Sequence, residues 1–488
     1  MYSIGIDLGS SSIKASILNL DDATIIVADN YPKEEMDIVA VKSGWAEQEP
    51  ETWWSNIKIL LKNLISQSKI DSKQIKYIGI SYQMHGLVTI DDKGEVLRPS
   101  IIWCDSRAVN IGKEAFDKLG DNILSSLLNS PGNFTASKLK WVKENEPDIY
   151  SKIHKIMLPG DYVAYKLTDK VYTTKSGLSE GIMWDFEKNK ISDTLLDHYG
   201  IDKNLIPDII DTFSNQGEIS KHIADELGLS YDTIVSYRAG DQPNNALSLN
   251  VLEPGEVAAT AGTSGVVYGV SDEVKFDKKS RVNTFAHVNH SETNTRLGVL
   301  LNINGTGIAN SWMRKNLSGK NSYDEINKLA SEIKEGSDGV LVYPYGNGAE
   351  RMFENQDLGA RIENLNFNIH NQSHIFRATQ ESIAFSFKYG MEIMEQTGIN
   401  TSVIRAGYSN MFLSDVFAQT LANVSNTTIE LYNTDGSQGA ARAAAYGGGF
   451  YKNRKEAFSK MELIKTIKPN KKSNIIEYYN NWKQKLNN

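Results

Sequence analysis

Ser3-Ile4-Gly5-Ile6-Asp7-Leu8-Gly9-Ser10-Ser11-Ser12-Ile13-Lys14 stands at the head of the chain and reads as a strand, a tight turn and a second strand. Ile4 and Ile6 are β-branched, Ile13, Ala15 and Ile17 alternate with polar neighbours, and Gly9-Ser10-Ser11 between them is turn chemistry. Asp7 sits at the bend, flanked by Gly5 and Gly9, which let backbone approach a ligand closely. Hydroxyls and amide N–H groups at Ser10, Ser11 and Ser12 suit phosphate oxygens. A carboxylate beside such a cradle points to Mg²⁺, because the two anions repel each other unless a hydrated cation bridges them. The stretch equally fits a buried hairpin whose aspartate caps its own turn.

At 488 residues the chain exceeds the ~250–300 at which one core usually stops growing, so two domains are expected. Hydrophobic residues at 40% and charged residues at 23% are ordinary for a water-soluble protein. No apolar run approaches the ~20 residues that cross a bilayer, and the first strand begins too early to leave room for a signal peptide. Cys104 is the single cysteine, which fits a reducing compartment, so a cytoplasmic protein without a membrane partner is expected. Lys plus Arg 52 against Asp plus Glu 60 leaves a net charge of −8, which disfavours nucleic acid as a partner. A polyphosphate ligand must then be held by local groups.

Further along, Glu49-Pro50-Glu51 starts a helix, and Trp53, Ile57, Leu60, Leu61 and Leu64 give it one apolar face. A strand from Tyr77 to Ser81 runs into Gln83-Met84-His85-Gly86, followed by a strand from Leu87 to Ile90 and the Ile101 to Arg107 stretch. From Pro131 to Tyr199 the pattern is mostly helical and reads as an insertion lining a site. A strand from Thr233 to Tyr237 leads to Gly240-Asp241, and Pro243 suits a first helical turn, so Asp241 falls at a strand-to-helix junction. The second half repeats the opening hairpin. Val257 to Ala261, the Gly262-Thr263-Ser264-Gly265 turn and Val266 to Val270 form this second copy, a faint sign of a duplicated fold. A long helix from about Ile375 to Gln396, two strands from Val403 and Thr428, a small-residue helix from Gly436 and an amphipathic last helix follow. Strands alternating with helices give an α/β sheet, with ligands beyond strand ends.

With these pieces in order, the chain resembles the FGGY family of carbohydrate kinases nearly end to end. The resemblance rests on Gly5 to Ser10, Gln83-Met84-His85-Gly86, Trp103-Cys104-Asp105-Ser106-Arg107, Pro131-Gly132 with Thr135 to Leu139, Gly240-Asp241, Gly262 to Gly265, and Gly436 to Arg442. It implies an α/β fold of two ribonuclease-H-like (actin-like ATPase) domains around a central cleft. Residues 1–248 would hold the sugar site and catalytic base, and residues 249–488 the nucleotide-binding half. The implied reaction is ATP- and Mg²⁺-dependent phosphorylation of a ketose at a primary hydroxyl, with D-xylulose first and L-xylulose, ribulose and fuculose as alternatives. By matching position, Asp241 is the base, Asp7 holds the metal, and Ser10, Ser11, Ser12, Gly262, Thr263, Gly407 and Asn410 bind nucleotide. Met84, His85, Asp105 and Asp241 bind the sugar, Trp103 is an apolar wall or simply core, and Arg107 orients Asp105. Phosphoryl transfer independently demands an aligned hydroxyl, metal and a carboxylate to take the proton. A homodimer is left open.

Two departures from the family pattern bear on the site. Gln242-Pro243-Asn244-Asn245-Ala246 alters the helix start beside the base, and Ser409-Asn410-Met411 replaces glycines that lie flat against a purine, so looser selection for adenine is expected. The rival classes are a non-sugar ATPase of the same fold and a silent sugar sensor. A chaperone of that fold carries a further peptide-binding domain, and a sensor has no need of Asp7, Asp241 and Thr263 together.

Overall fold

The computed structural model describes residues 1–486. One compact unit comprises Met1–Asn250, Phe285–Arg296 and Thr434–Met461, and the other comprises Val251–Thr284, Leu297–Asn433 and the chain from Glu462 onward. A cut at 248/249 therefore departs from the packing in two places, where short stretches of the second half join the first unit.

The first unit is built on β1 (Tyr2–Leu8), β2 (Ile13–Asn19), β3 (Ile25–Tyr31), β4 (Ile75–Tyr82), β5 (Phe213–Glu218) and β6 (Ile234–Gly240), ordered β5-β6-β4-β1-β2-β3. β1 runs antiparallel to β2, from Tyr2 opposite Asn19 to Leu8 opposite Ile13, and parallel to β4. β6 is parallel to β4 on its other side. Asp7 lies opposite Ser81, and Gly240 lies opposite Tyr82. Asp7, the Met84-His85 loop and Asp241 thereby emerge at one end of the sheet.

Ile4, Ile6, Ile17, Ile78 and Ile80 are fully buried, and the Pro50–Ser68 helix lays Trp53, Ile57, Leu60, Leu61 and Leu64 into the same core. The small-residue helix Gly436–Gly447 packs on β1 and β4. Approach is possible because Gly5 and Gly79 lack side chains: a Cβ on Gly5 would overlap the Ser437 carbonyl oxygen and stand 2.5 Å from the Ala441 nitrogen.

The second sheet comprises β7 (Glu256–Ala261), β8 (Gly265–Ser271), β9 (Asn283–Ala286), β10 (Leu297–Ile303), β11 (Val403–Gly407), β12 (Thr428–Tyr432) and β13 (Leu463–Ile467), ordered β9-β10-β8-β7-β11-β12-β13, and all of it belongs to the second unit except Phe285 and Ala286 at the end of β9. Antiparallel β7, β8 and β10 followed by parallel β11 and β12 reproduce the β1, β2, β3 and β4, β6 arrangement of the first unit. The duplication that is faint in sequence is explicit in topology, and each half has the ribonuclease-H-like α/β pattern of the actin-like ATPases. The long helix spans Gln372–Glu395 and the last Ile475–Leu486.

Two expectations change. The 131–199 insertion interleaves its helices with short strands, Lys155–Met157, Tyr172–Thr173, Trp184–Asp185 and Lys190–Ile191. The strand at Val88–Ile90 pairs antiparallel with Lys155–Met157, outside the main sheet, because its apolar residues have that partner within the insertion. Among the described residues no helix is long and apolar enough to cross a membrane.

The Gly5 contact yields a stability prediction. Gly5→Ala forces overpacking against helix backbone, which cannot swing aside as a side chain can, and should destabilise the first unit by ~1–3 kcal/mol. Chemical denaturation checks this, and an unchanged midpoint would show that the helix sits less tightly than the geometry indicates.

Candidate active site

At the end of β1, the Asp7 carboxylate accepts a hydrogen bond from Ser81 Oγ at 2.7 Å, so it is fixed by the neighbouring parallel strand. The cap of its own hairpin, one reading of the sequence, is not what Asp7 does. The turn is closed by Gly9 N donating to the Ser12 carbonyl at 3.2 Å, and the Ser10 carbonyl accepts from Gln48 Nε2 at 2.7 Å. The first turn of the Gly436–Gly447 helix comes down on Asp7, and a Cβ on Gly436 would stand 2.5 Å from Oδ2. Asp435 caps that helix, accepting from Gln438 N at 3.0 Å and from Ser437 Oγ at 2.8 Å.

Burial lifts the Asp7 carboxyl above its ordinary range, Ser81 opposes the shift, and the Asp435 charge adds to it. Asp241, at the first position of the Asp241–Ser248 helix, is lifted to about 7, by burial first and the Asp7 charge second. Both side chains are reached in part by solvent but densely surrounded by protein, as at the floor of a crevice.

Among the described residues no three His, Cys, Asp or Glu side chains are arranged to hold a metal by themselves. The donor set nevertheless suits Mg²⁺, which keeps several waters and needs only one or two carboxylates when phosphates complete its shell. The Asp7 charge raises the proton affinity of Asp241, and a cation at Asp7 would relieve that repulsion.

Beyond β4 the chain turns through His85, at φ +62°. Its ring Nδ1 lies 2.9 Å from the Glu180 carbonyl oxygen, and its edge meets Phe134 with centroids 4.8 Å apart and, tilted, Phe285 at 5.5 Å. Met84 is buried against Gly240, where a Cβ would come within 2.5 Å of its Cγ. Lys138 Nζ donates to the carbonyls of His85 at 2.8 Å and Ile102 at 2.9 Å, tying together two of the expected sugar-binding loops. Burial pulls its ammonium down to about 7, with Asp105 opposing.

Asp105 is differently placed from Met84 and His85. Its oxygens accept from Ala46 N at 2.6 Å, Arg107 N at 2.8 Å and the Arg107 guanidinium at 2.8–3.0 Å. At 1% exposure it orders the loop and has no carboxylate lone pair turned outward. Trp103 is 53% exposed, which removes the core reading, and its indole nitrogen lies 3.5 Å from Ser10 Oγ.

In the second unit, Gly262, Thr263, Asn410 and Met411 line one cavity of about 510 Å³, closed by the Gly307–Leu317 and Tyr323–Ser331 helices. Gly307 N donates to the Gly262 carbonyl at 3.0 Å and Ile308 N to the Thr263 carbonyl at 2.9 Å, fixing the turn on a helix N-terminus. Asn410 takes φ +53°, so it occupies a glycine-type conformation, and Met411 is buried in the core while edging the cavity. Gly407 ends β11 and does not line this cavity. Sequence reasoning missed Phe134, Phe285 and Glu180 in the first unit, and Asn310 and Lys315 in the second. Asn310 is 3% exposed and its Oδ1 has no hydrogen-bond partner, a buried polar atom facing a cavity. Helical spacing alone gives such positions no mark.

Two duplicated α/β units, one ending in a carboxylate pair and the other holding a turn-lined cavity, define a phosphotransferase of the two-domain actin-like class. The chain belongs to the FGGY family of carbohydrate kinases: the family's N-terminal domain matches residues 2–248 and its C-terminal domain residues 257–448. It is 29% identical to the xylulose kinase of Bacillus subtilis over 461 residues, covering 93% of this chain and 90% of that protein. The crystal structure of xylulose kinase from Rhodospirillum rubrum superimposes with a TM-score of 0.89 at 23% identity, over 99% of this chain and 98% of that one. Gluconate kinase from Lactobacillus acidophilus gives 0.90 at 22%, over 100% and 97%.

Gly240→Ala tests the packing around Asp241. The added methyl must displace Met84 or the Glu180 carboxyl, and a shift of ~1 Å beside reacting groups lowers kcat/KM by about a hundredfold. Unaltered kinetics in a folded Gly240→Ala protein would show that this contact does not support the site.

Proposed function

We propose that the protein is an ATP-dependent ketose kinase that converts D-xylulose to D-xylulose 5-phosphate in the cytoplasm. The observation that carries the reading is Asp241, a strand-end carboxylate poised at about 7 beside Asp7. Support for the sugar comes from the xylulose kinases similar over most of their length. The fold alone does not choose the sugar, since a gluconate kinase superimposes equally well.

In this reading residues 1–248 supply the sugar site and base, and residues 249–488 the nucleotide half. Met84 and His85 bind the sugar, with Phe134 and Phe285 supporting the imidazole. Asp105 acts through Arg107 and the Ala46 amide, because its oxygens are already taken. Ser10, Ser11 and Ser12 on one turn, and Gly262 and Thr263 on the other, bind phosphates. Asn410 lies at the adenosine, and Gly407 serves by ending the strand that presents it. Mg²⁺ held at Asp7 supplies charge neutralisation on the transferring phosphoryl group. Asp241 accepts the proton of the attacking primary hydroxyl, which its raised affinity for protons favours.

Asp241→Asn should lower kcat by ~10²–10⁴ with ATP binding retained. Activity depends on the ionised form, so it falls as pH drops through the base's pKa. A cation at Asp7 lowers that pKa, placing the acid limb no higher than about 7 in kcat/KM, and the limb should vanish in Asp241→Asn. Near-normal turnover of the variant, or an undiminished limb, would remove Asp241 from the role. A coupled ADP-release assay across ketopentoses and ketohexoses tests the substrate.

Asn410 is separable into backbone and base-reading roles. If it serves only the left-handed turn, Asn410→Gly keeps the ATP KM while Asn410→Ala strains the loop by ~1 kcal/mol. In that case GTP supports turnover within about tenfold of ATP. Loss of ATP preference in both variants would instead show that the Asn410 amide reads adenine.

A further inference from the structure

Glu180 ends the short Lys175–Glu180 helix and is 1% exposed. Nothing in the sequence singles it out, and the reaction outlined above does not use it. Its two carboxyl oxygens nevertheless meet the two loops that carry the sugar site and the base. Oε1 accepts the His85 backbone N–H at 3.4 Å, while the Glu180 main-chain carbonyl meets His85 Nδ1 at 2.9 Å. A carbonyl only accepts, so Nδ1 carries the imidazole proton. Backbone and ring of a residue in left-handed conformation are therefore both held by one neighbour. Oε2 lies against Gly240, where a Cβ would overlap it, and the buried Tyr82 hydroxyl is near enough to lower the carboxyl's proton affinity. Asp241 is the next residue.

A fully buried carboxyl is expensive, and a hydrocarbon of the same shape would be cheaper for the fold alone. We propose that Glu180 is a positioning residue of the sugar site, a strut whose carboxyl sets the distance between the Met84-His85 loop and the Gly240-Asp241 turn. Burial pushes its carboxyl well above the carboxylate range, the His85 N–H opposes this, and the charges of Asp241 and Asp161 raise it further. The shift runs toward the protonated, uncharged form of the strut. This inference rests on the sugar-kinase reading for its kinetic consequence, but its geometry is independent of which sugar is used.

The test compares Glu180→Gln, which keeps an acceptor oxygen at the same reach without charge, with Glu180→Met, which fills the same space with no acceptor. Both preserve packing. The readouts are steady-state kinetics with whichever sugar of the panel releases ADP, and hydrogen exchange of the peptide spanning His85 in the unliganded protein. The Met variant should raise the sugar KM roughly ten- to hundredfold, leave the ATP KM within about twofold, and speed exchange at His85. The Gln variant should restore all three. A Met variant with wild-type KM and exchange overturns the proposal. So does a Gln variant as damaged as Met, since the acid itself, and not its reach, would then matter. Absence of any active sugar would refute the kinase reading, while exchange at His85 would still decide the role of Glu180.

Discussion

The contact between the Gly436–Gly447 helix and the bare backbone of β1 and β4 sets the rest of the first unit. With a side chain at Gly5 or Gly79 the helix would stand off from the sheet, and its first turn would no longer reach Asp7. The same approach is pinned by polar bonds, Ser3 Oγ to the Ala441 carbonyl at 2.9 Å and Ser236 Oγ to the Ala444 carbonyl at 2.7 Å. Asn244 extends the arrangement to the helix that Asp241 begins: its Nδ2 donates to the Gly436 carbonyl at 2.9 Å, and its Oδ1 accepts from Tyr237 at 3.1 Å. The Gln242-Pro243-Asn244-Asn245 segment thus supplies a bond that ties the helix begun by Asp241 to the helix over Asp7. What looked in sequence like a disturbance beside the base is a structural link.

Packing this tight brings anions together. Asp7, Asp435 and Asp241 all sit in the first unit, and burial first, with the neighbouring carboxylates adding to it, raises the proton affinity of Asp7 and Asp241. Folding alone would favour fewer charges here, so the arrangement is explained by a ligand that reverses the balance, as expected where local rules of stability are broken at a site. Asp105, Arg107 and Lys138 show the contrasting case. Their charges are met by one another, by Glu47 and by main-chain carbonyls.

Much of this was legible beforehand because it is local. Strand, turn and strand around Asp7, the strand-to-helix junction at Asp241 and the second hairpin at Gly262 each follow from neighbouring residues within about a dozen positions. The carboxylate at the end of a strand is therefore visible from the sequence. Partners supplied by distant segments are not. Ser81 on Asp7, Glu180 on His85 and Gly240, and the Phe285 ring on His85 meet across separations that no periodicity encodes. Asp105 was read from its motif as a hydroxyl ligand, and only its full set of donors shows that it is spent on the scaffold. Trp103 is open in the sequence between an apolar wall and core, and its exposure removes only the core alternative.

The duplication explains why the two turns do different work. In the first hairpin the residue two before the turn glycine is Asp7. In the second the corresponding residue before Gly262 is Thr260. The topology repeats but the charge does not. The second turn instead relies on neutral groups, with its carbonyls fixed by Gly307 and Ile308 at the start of a helix. Asn410 completes the pattern. Its left-handed backbone is the conformation a glycine would take, so the side chain is what this position adds to the cavity lining.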